Sequence, residues 1–327
     1  MLILNILAPI LAIIAVGYIA AKYFGFTQMM EFGLIRIVTD IAVPITLMGA
    51  LSKVEFDGSA PLYLLISYFI PAYAVFMLGM VIAAFYFKRD AAGQAITAIG
   101  FAFSNTVLIG IPVIYAAYGD QGIVILFMIV SIHGTGFLTL TTILLERANA
   151  ANGMRASTAS GMHASTANGT ASTRHKVISA LIRTPILYGV IAGFLLNIAN
   201  IELPQMAEEF IKHIERALIG LSLLALGMGL SRARLAGRFS QNMILTLFKM
   251  ILFPACVFCL SHYIFQLDPL MVKVATIVAA LPCGAIVSIF AEKYDAGKNF
   301  AATATLMTNI TALVTVTGWL LFLEWVL

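Results

Sequence analysis

Ten apolar stretches dominate this sequence, and each is near the length that a helix needs to cross a lipid bilayer, about 20 residues. Only 10% of the residues are charged, against roughly 25% in a soluble domain, and the mean hydropathy is +1.00. In lipid, a chain of this kind must satisfy its backbone hydrogen bonds within helices. The sequence therefore predicts an all-α polytopic membrane protein, with ten transmembrane helices at residues 3–22, 33–51, 62–87, 93–117, 121–146, 177–197, 214–231, 239–263, 270–293 and 300–326.

Most connections between these stretches are short, and the exception is residues 147–175. This connection is rich in Ala, Ser, Thr and Gly, which bury too little apolar surface to offset the entropy of ordering them. We interpret it as a flexible cytoplasmic linker. It divides the chain into a first five-helix unit, residues 1–146, and a second, residues 176–327.

Lysine and arginine are concentrated in one alternating set of loops, which the positive-inside rule places in the cytoplasm. The net charge of +4 is accounted for by this topology and gives no reason to expect a nucleic-acid partner. Because the predicted number of spans is even, both termini are expected outside. The expected location is the cell membrane, plasma or inner, as a multi-pass protein in the lipid bilayer.

The two halves carry matching residues in the same order. Pro9 and Gly17 in the first span correspond to Pro185 and Gly193 in the sixth, and further prolines match in the third and eighth spans. Five spans is an odd number, so the second half enters the membrane from the opposite side. This pattern predicts a 5+5 inverted repeat, the build of many secondary transporters.

The fourth span is apolar but carries three polar residues, 104–106, followed by Gly110 and Pro112. Pro112 has no N–H to offer the carbonyl of Leu108, and glycine has little helical preference. Irregular backbone at membrane depth is tolerated where it lines a cavity or a protein interior. The sequence therefore predicts that Gly110 and Pro112 interrupt this helix at a substrate site.

The ninth span is interrupted in the corresponding place by Pro282 and Gly284. Paired interruptions in corresponding spans indicate a transport site, and two half-helix N-termini meeting there favour an anion. The alternative is that these prolines only shape helix packing. The predicted substrate-binding residues are Asn105, Thr106, Gly110, Pro112, Pro282, Cys283 and Gly284.

The segments 105–112 (NTVLIGIP) and 280–284 (ALPCG) resemble the fourth- and ninth-helix motifs of the auxin efflux carrier family, and Ala42-Val43-Pro44 is also similar. The resemblance implies broken helices 4 and 9 that cross, a scaffold of spans one, two, six and seven, elevator-type transport and a homodimer. It also implies organic-anion substrates, auxin in plants and dicarboxylates such as malonate in bacteria. Ser104 and Cys283 stand where plant members usually have proline and glutamine, which favours a bacterial-type member.

Four ionisable or polar residues within spans are further candidates for cavity or coupling roles. Asp40 could bind a coupling proton or Na⁺, or form a structural ion pair with Arg36, one turn earlier. Lys249 could attract an anion, or extend to the membrane interface. His133 aligns with Asn309 in the other half, and both could line a cavity or form interhelical hydrogen bonds.

These patterns predict a secondary transporter of a small organic anion, such as a mono- or dicarboxylate, that works by alternating access. We expect no cofactor and no metal site, apart from a possible coupling H⁺ or Na⁺. The sequence shows no hydrolytic triad, metal cluster or nucleotide-binding loop, so an enzyme is not expected. Two alternatives remain: a Na⁺-coupled symporter of the bile-acid type, which shares the inverted-repeat plan, and a non-transporting membrane receptor.

Overall fold

The computed structural model describes residues 2–54, 58–159, 185–232, 235 and 237–327. Every regular element among these residues is a helix. Six helical stretches are long and apolar enough to cross a membrane: Gln28–Leu51, Ala60–Phe85, Ala91–Ala151, Gln205–Arg232, Phe239–Ile264 and Lys298–Val326. The prediction of an all-α polytopic membrane protein is confirmed.

The helices before residue 160 follow the order of the predicted spans. They are α1 (Leu2–Tyr23), α2 (Gln28–Leu51), α3 (Ala60–Phe85), α4 (Ala91–Ala102) and, after a π-helical turn at Thr106–Gly110, α5 (Ile111–Ala159). Gly119, with φ 62° and ψ −155°, kinks α5 between the predicted fourth and fifth spans. Helical backbone continues to Ala159, past the predicted start of the linker at 147. Residues 160–175 of the predicted linker lie outside the described residues.

The helices of the second part are shorter around the predicted ninth span. They are α6 (Pro185–Ile198), α7 (Gln205–Arg232), α8 (Phe239–Ile264), α9 (Pro269–Ala280), α10 (Ile286–Lys293) and α11 (Lys298–Val326). The chain between α9 and α10 is not helical.

Helices α4 and α9 are built alike, each with 12 residues. The side chains of Asp90 and Asp268 accept a hydrogen bond from a backbone N–H in the first turn of the helix that follows, which is the usual N-cap arrangement. At the other end, Phe103 (φ −72°, ψ 128°) and Leu281 (φ −64°, ψ 148°) are extended. Both helices therefore stop abruptly within apolar sequence.

Among the prolines that sit inside long helices without breaking them, three share a local structure. Each is the second residue after a π-helical turn: Pro44 after Val38–Ala42, Pro112 after Thr106–Gly110 and Pro254 after Phe248–Leu252. In such a turn the hydrogen bond spans five residues, as in the 3.0 Å bond from the Gly110 N–H to the Asn105 carbonyl. The wider turn relieves the clash between a proline ring and the carbonyl four residues earlier.

This arrangement corrects one prediction. Gly110 and Pro112 do not interrupt the fourth span. The non-helical residues lie earlier, at 103–105, and helical backbone is restored from Thr106 onward. Pro112 therefore did not mark the position of the interruption, because the π-helical turn before it lets the helix accommodate the proline.

The helices pack in two groups. In the first group, α1 runs along α7, and the second half of α2 runs along α6 and also contacts α7. In the second group, α3 packs on α4, α8 on α9 and α11, and α9 on α5. A cavity lies where the two groups face each other, and Asn105 of the non-helical residues 103–105 lines it.

Candidate functional site

The cavity between the two helix groups has a volume of 580 Å³, within the usual range for small-molecule sites, roughly 300–1,000 Å³. One wall comes from α2 and α7, and the other from α10, α11 and the residues around Asn105. It extends from Asn105 to the helix ends at Arg232 and Lys298. We call this space the vestibule.

The mouth of the vestibule is charged, and its charges are paired. Arg232 forms a close ion pair with Glu31 and donates to the Phe26 carbonyl at 2.5 Å. Lys298 lies 3.3 Å from Glu292 and 2.8 Å from Asp295. The mouth therefore carries little uncompensated charge.

At the inner end of the vestibule, the two non-helical segments, residues 103–105 and residues 281–285, touch. The Asn105 N–H donates to the Pro282 carbonyl at 2.9 Å. A Cβ atom at Gly110 would lie 2.8 Å from Cδ1 of Leu281, so the absence of a side chain permits this approach. Gly284 likewise permits the close approach of Phe103, because a Cβ atom added at Gly284 would lie 3.1 Å from the Phe103 ring.

The Asn105 side chain has a fixed orientation. Its Oδ1 accepts from the Leu108 N–H at 3.2 Å and so caps the helix that begins at Thr106. Because Oδ1 serves the helix, Nδ2 is the free end of the amide, and no described residue accepts from it. Asn105 is 7% exposed and lines the vestibule. It therefore offers a hydrogen-bond donor to an occupant.

The start of α10 supplies further donors. The backbone N–H groups of Gly284, Ala285 and Ile286 have no acceptor in the part of the chain that the structure describes, as expected at a helix N-terminus. Ala285 lines the vestibule. Free N–H groups and the helix dipole make this a favourable place for an anion.

Cys283 lies behind this segment rather than in the vestibule wall. It is fully buried, its N–H donates to Thr308 Oγ1 at 3.3 Å, and its Sγ is 3.1 Å from the same oxygen. The wall itself carries the hydroxyls of Ser288 and Thr305, 3.3 Å apart. Sequence reasoning missed both hydroxyls, because α11 is rich in threonine and nothing in its pattern separates Thr305 from the rest.

A buried lysine supports the first non-helical segment. Lys249 on α8 is fully buried, and its Nζ donates to Ser104 Oγ at 2.7 Å and to the Ala279 carbonyl at 2.9 Å. The ammonium also lies 4.7 Å from the centre of the Phe253 ring, a cation–π distance. The alternative that Lys249 extends to the membrane interface is wrong, because its partners hold it inside the protein.

Lys249 has no counter-ion among the described residues. Burying an unpaired ammonium costs several kcal/mol after protein relaxation. Neutral oxygens and an aromatic ring offset part of this cost, but they do not cancel the charge. The junction of the two segments therefore places a buried lysine amine without a described counter-ion close to the vestibule.

His133 completes the support of Ser104. The Ser104 N–H donates to His133 Nε2 at 3.1 Å, and Nδ1 lies 3.3 Å from the Tyr68 hydroxyl. A ring nitrogen that accepts must lack a proton, so His133 is neutral and carries its proton on Nδ1. Tyr68 in turn donates to Ser104 Oγ at 3.4 Å. Tyr68 was missed at the sequence level, where it was one of several tyrosines in an apolar span.

Comparison with known proteins agrees with this architecture. The sequence model of the family described as "Membrane transport protein" matches residues 2–320. The chain belongs to this membrane transport protein family. The predicted membership of the auxin efflux carrier family is thereby confirmed.

Two relatives of this membrane transport protein match over nearly its whole length. "Auxin efflux carrier component 8" of Arabidopsis thaliana is 23% identical over 352 residues, covering 97% of this chain and 96% of the relative. The "Putative malonate transporter" of Rhizobium meliloti (strain 1021) is 20% identical over 316 residues, covering 97% of this chain and 94% of the relative.

The structure of this transport protein brings some predicted site residues together and separates others. Asn309 lines the vestibule; its Nδ2 donates to the Thr305 carbonyl at 2.6 Å, and its buried Oδ1 has no partner among the described residues. Thr106 is buried in the π-helical turn, and Pro112 is buried in the first turn of α5. His133 forms interhelical hydrogen bonds and is not in the vestibule wall.

Asp40 lies apart from the vestibule, on the π-helical turn of α2. Its Oδ2 is 3.3 Å from Arg36 Nε, and its Oδ1 accepts from the Thr39 hydroxyl at 2.9 Å. The structure therefore forms the ion pair that was the alternative to a coupling role. The Arg36 side chain is 81% exposed, so this pair is weak in stability terms, about 0–1 kcal/mol.

Proposed function

We propose that this membrane transport protein is a secondary carrier of small organic anions, mono- or dicarboxylates. The observation that carries the proposal is the buried amine of Lys249, which has no described counter-ion, at the junction of two non-helical segments whose free donors face the vestibule. An anion placed there would gain both the field of the lysine and hydrogen bonds from the protein. The name of the Rhizobium relative makes malonate the first substrate to test.

In this proposal, a substrate carboxylate accepts hydrogen bonds from Asn105 Nδ2 and from the N–H groups at the start of α10. One of the paired hydroxyls of Ser288 and Thr305 donates from the adjacent wall, because their mutual hydrogen bond uses the proton of the other. Lys249 does not touch the substrate, because it is fully buried and does not line the vestibule. It acts through its charge and by holding Ser104 in place. In a dicarboxylate, the second carboxylate would point towards the mouth.

We further propose the 5+5 inverted repeat with crossing broken helices, in the ten-helix arrangement that the sequence predicts. The likeness of α4 and α9 supports it. So does the close approach of each glycine of the matched pair Gly17 and Gly193 to the backbone of a helix in the other half. A Cβ atom at Gly17 would lie 2.2 Å from the Leu224 carbonyl oxygen on α7, and one at Gly193 would lie 2.9 Å from the Met48 carbonyl oxygen on α2.

The two helix groups suggest how alternating access would operate. The group of α1, α2, α6 and α7 would be the scaffold, and the other group, which holds the two non-helical segments, would move as the elevator. The vestibule lies between the groups and reaches the helix ends that the positive-inside rule places in the cytoplasm. The described conformation would then be inward-facing. The homodimer, the external termini and the coupling ion, H⁺ or Na⁺, stay predictions.

Uptake into proteoliposomes tests the proposal. Purified protein is reconstituted and supplied with labelled malonate, with and without imposed pH and Na⁺ gradients, and with unlabelled mono- and dicarboxylates as competitors. We expect saturable flux that carboxylates inhibit and that amines and sugars do not. Asn105→Ala should reduce the flux, and Asp40→Asn should not.

The same assay separates the alternatives. Flux that requires Na⁺ in the absence of any pH gradient would favour the symporter of the bile-acid type. A receptor would bind a carboxylate without moving it across the membrane. If no carboxylate crosses in any gradient, the proposal of an organic-anion carrier is wrong.

A further inference from the structure

A second cavity, of 570 Å³, lies at the ends of α3, α8 and α11, apart from the two non-helical segments. Three cationic side chains line it: Arg89, Arg238 and Lys298. In the described structure, Asp295 is the one carboxylate that lines this cavity. The cavity is thus basic, and it lies on the side of the protein that the lysine and arginine distribution places in the cytoplasm.

The Arg89 side chain is held in place, but one of its hydrogen-bond donors has no described acceptor. Its Nη2 donates to Gln241 Oε1 at 2.9 Å, and its guanidinium carbon lies 4.6 Å from the centre of the Phe300 ring. Its Nε is buried and has no acceptor among the described residues. A guanidinium fixed on an aromatic face is preorganised to bind an oxyanion, and a buried donor without a partner costs about 1–3 kcal/mol. The geometry of Arg89 therefore fits an absent acceptor.

Arg238 adds a second charge without a counter-ion in the described structure. It is the N-cap residue of α8, which has no side-chain cap. Burial lowers the pKa of the Arg89 guanidinium from its ordinary value, and the charge of Arg238 lowers that pKa further, while Asp90 opposes both effects. An arginine remains protonated in any case, so two like charges are held close together.

The third side of the cavity is the start of α11. Gly297, with φ 61°, is its N-cap residue and offers no side chain, so the first N–H groups of the helix lack a cap. Lys298 is paired with Asp295 at 2.8 Å. Two uncapped helix N-termini and two unpaired arginines thus face the same space, which holds little opposing charge.

We propose that this cavity binds the phosphate group of an anionic ligand, either the headgroup of an acidic phospholipid in the adjacent leaflet or a soluble phosphate compound. Arginine forks and helix N-termini are both preferred partners of phosphate oxygens. Basic pockets at the cytoplasmic ends of membrane helices are suited to acidic lipid headgroups. A bound phosphate would tie the connection after α3 to the starts of α8 and α11, and so stabilise the protein. The site is independent of the proposed carrier function.

Thermal unfolding of the purified full-length protein in neutral detergent tests the site. The probes are short-chain phosphatidylglycerol, the matched phosphatidylcholine, inorganic pyrophosphate, and sodium chloride at equal ionic strength. The variants are Arg238→Gln, which removes a charge, and Arg238→Lys, which keeps it. Lys88→Gln is the matched control, because Lys88 is an exposed neighbour of Arg89 outside the cavity lining.

We expect a phosphate probe to raise the unfolding temperature of the wild-type protein and of Lys88→Gln, with about tenfold weaker half-saturation in Arg238→Gln and partial recovery in Arg238→Lys. A response to phosphatidylglycerol but not to pyrophosphate identifies a lipid as the source. The reverse identifies a soluble phosphate compound. The proposal fails if neither probe exceeds sodium chloride, or if Arg238→Gln responds as the wild type does. If Arg238→Gln does not fold, the half-saturation of Arg238→Lys is compared with that of Lys88→Gln. Weaker half-saturation in Arg238→Lys supports the proposal, and equal half-saturation contradicts it.

Discussion

The two non-helical segments have similar backbone structure, but different side chains pack and hydrogen-bond behind them. Both follow a 12-residue helix capped by aspartate and ended by an extended residue. Behind the first segment, Ser104 is held by Lys249, Tyr68 and neutral His133. Behind the second, Cys283 is held by the neutral Thr308.

This difference indicates a division of labour at the junction. Each segment offers donors to the vestibule, the Asn105 side chain on one side and the backbone N–H groups at the start of α10 on the other, which suits any carboxylate. The charge comes from one side alone, from Lys249 on α8. We therefore expect substitutions around the first segment to affect anion affinity, and those around the second to affect packing more than affinity.

The largest expected effect is that of Asn105→Asp. The new carboxylate keeps the oxygen that caps the helix at Leu108, so folding should be preserved. It replaces the free donor with a negative charge facing the substrate, and like charges at an interface cost several kcal/mol. We predict a fall in malonate flux of about 100-fold or more, measured in proteoliposomes, with an unfolding temperature close to that of the wild type.

Asn105→Ser serves as the graded control, because serine keeps a cap without adding charge. Its flux should fall between those of the wild type and Asn105→Asp. Equal flux in all three proteins would show that Asn105 does not bind the substrate. It would also contradict the expectation that the first segment determines anion affinity.

The next largest effect is that of Lys249→Met, which removes the charge and nearly keeps the volume. If the bound anion lies about 8 Å from Lys249 Nζ and the effective dielectric constant is about 20, a unit charge on Lys249 contributes about 2 kcal/mol to the binding of a monovalent anion. Affinity should therefore fall about 30-fold, as read from the KM for uptake. The exposed Lys88→Met is the matched control and should transport normally.

The stability of Lys249→Met should change little. Ser104 Oγ and the Ala279 carbonyl would lose a donor, at about 1–3 kcal/mol each, while the desolvation cost of the buried ammonium disappears. An unchanged KM in a folded Lys249→Met protein would show that the junction binds substrate without the lysine field.

Substitutions in the second segment should have smaller effects on transport. Cys283→Ala leaves the backbone N–H bonded to Thr308, so we expect flux within about threefold of wild type and a loss of about 1 kcal/mol in the free energy of unfolding. Thr308→Val should destabilise more, because it leaves that buried N–H without an acceptor. If Cys283→Ala lowers affinity as much as Lys249→Met does, the two segments contribute equally.

The smallest effect is expected for Asp40→Asn. Its pair with Arg36 is exposed and worth about 0–1 kcal/mol, and Asp40 does not line the vestibule. Flux and its dependence on pH and Na⁺ gradients should be unchanged. Loss of that ion dependence in Asp40→Asn would instead identify Asp40 as the coupling site.

The sequence predicted the membrane class, the family and most helix positions, because apolar length and paired interruptions are local signals. It misplaced the first interruption, because a π-helical turn accommodates Pro112 and the chain leaves the helix earlier, at Phe103. It left open whether Lys249 faces the interior or the interface, since periodicity does not fix the depth of a long side chain. The roles of Tyr68 and Thr305 depend on contacts between distant helices, which no single segment encodes.

The location of a bound carboxylate tests the central claim most directly. An experimental structure of the protein with malonate should show a carboxylate at the inner end of the vestibule. Its oxygens should lie about 2.7–3.2 Å from Asn105 Nδ2 and from an N–H group at the start of α10, with Lys249 still bonded to Ser104. A malonate bound elsewhere, for example in the basic cavity at Arg89, with no density beside Asn105, would contradict the account.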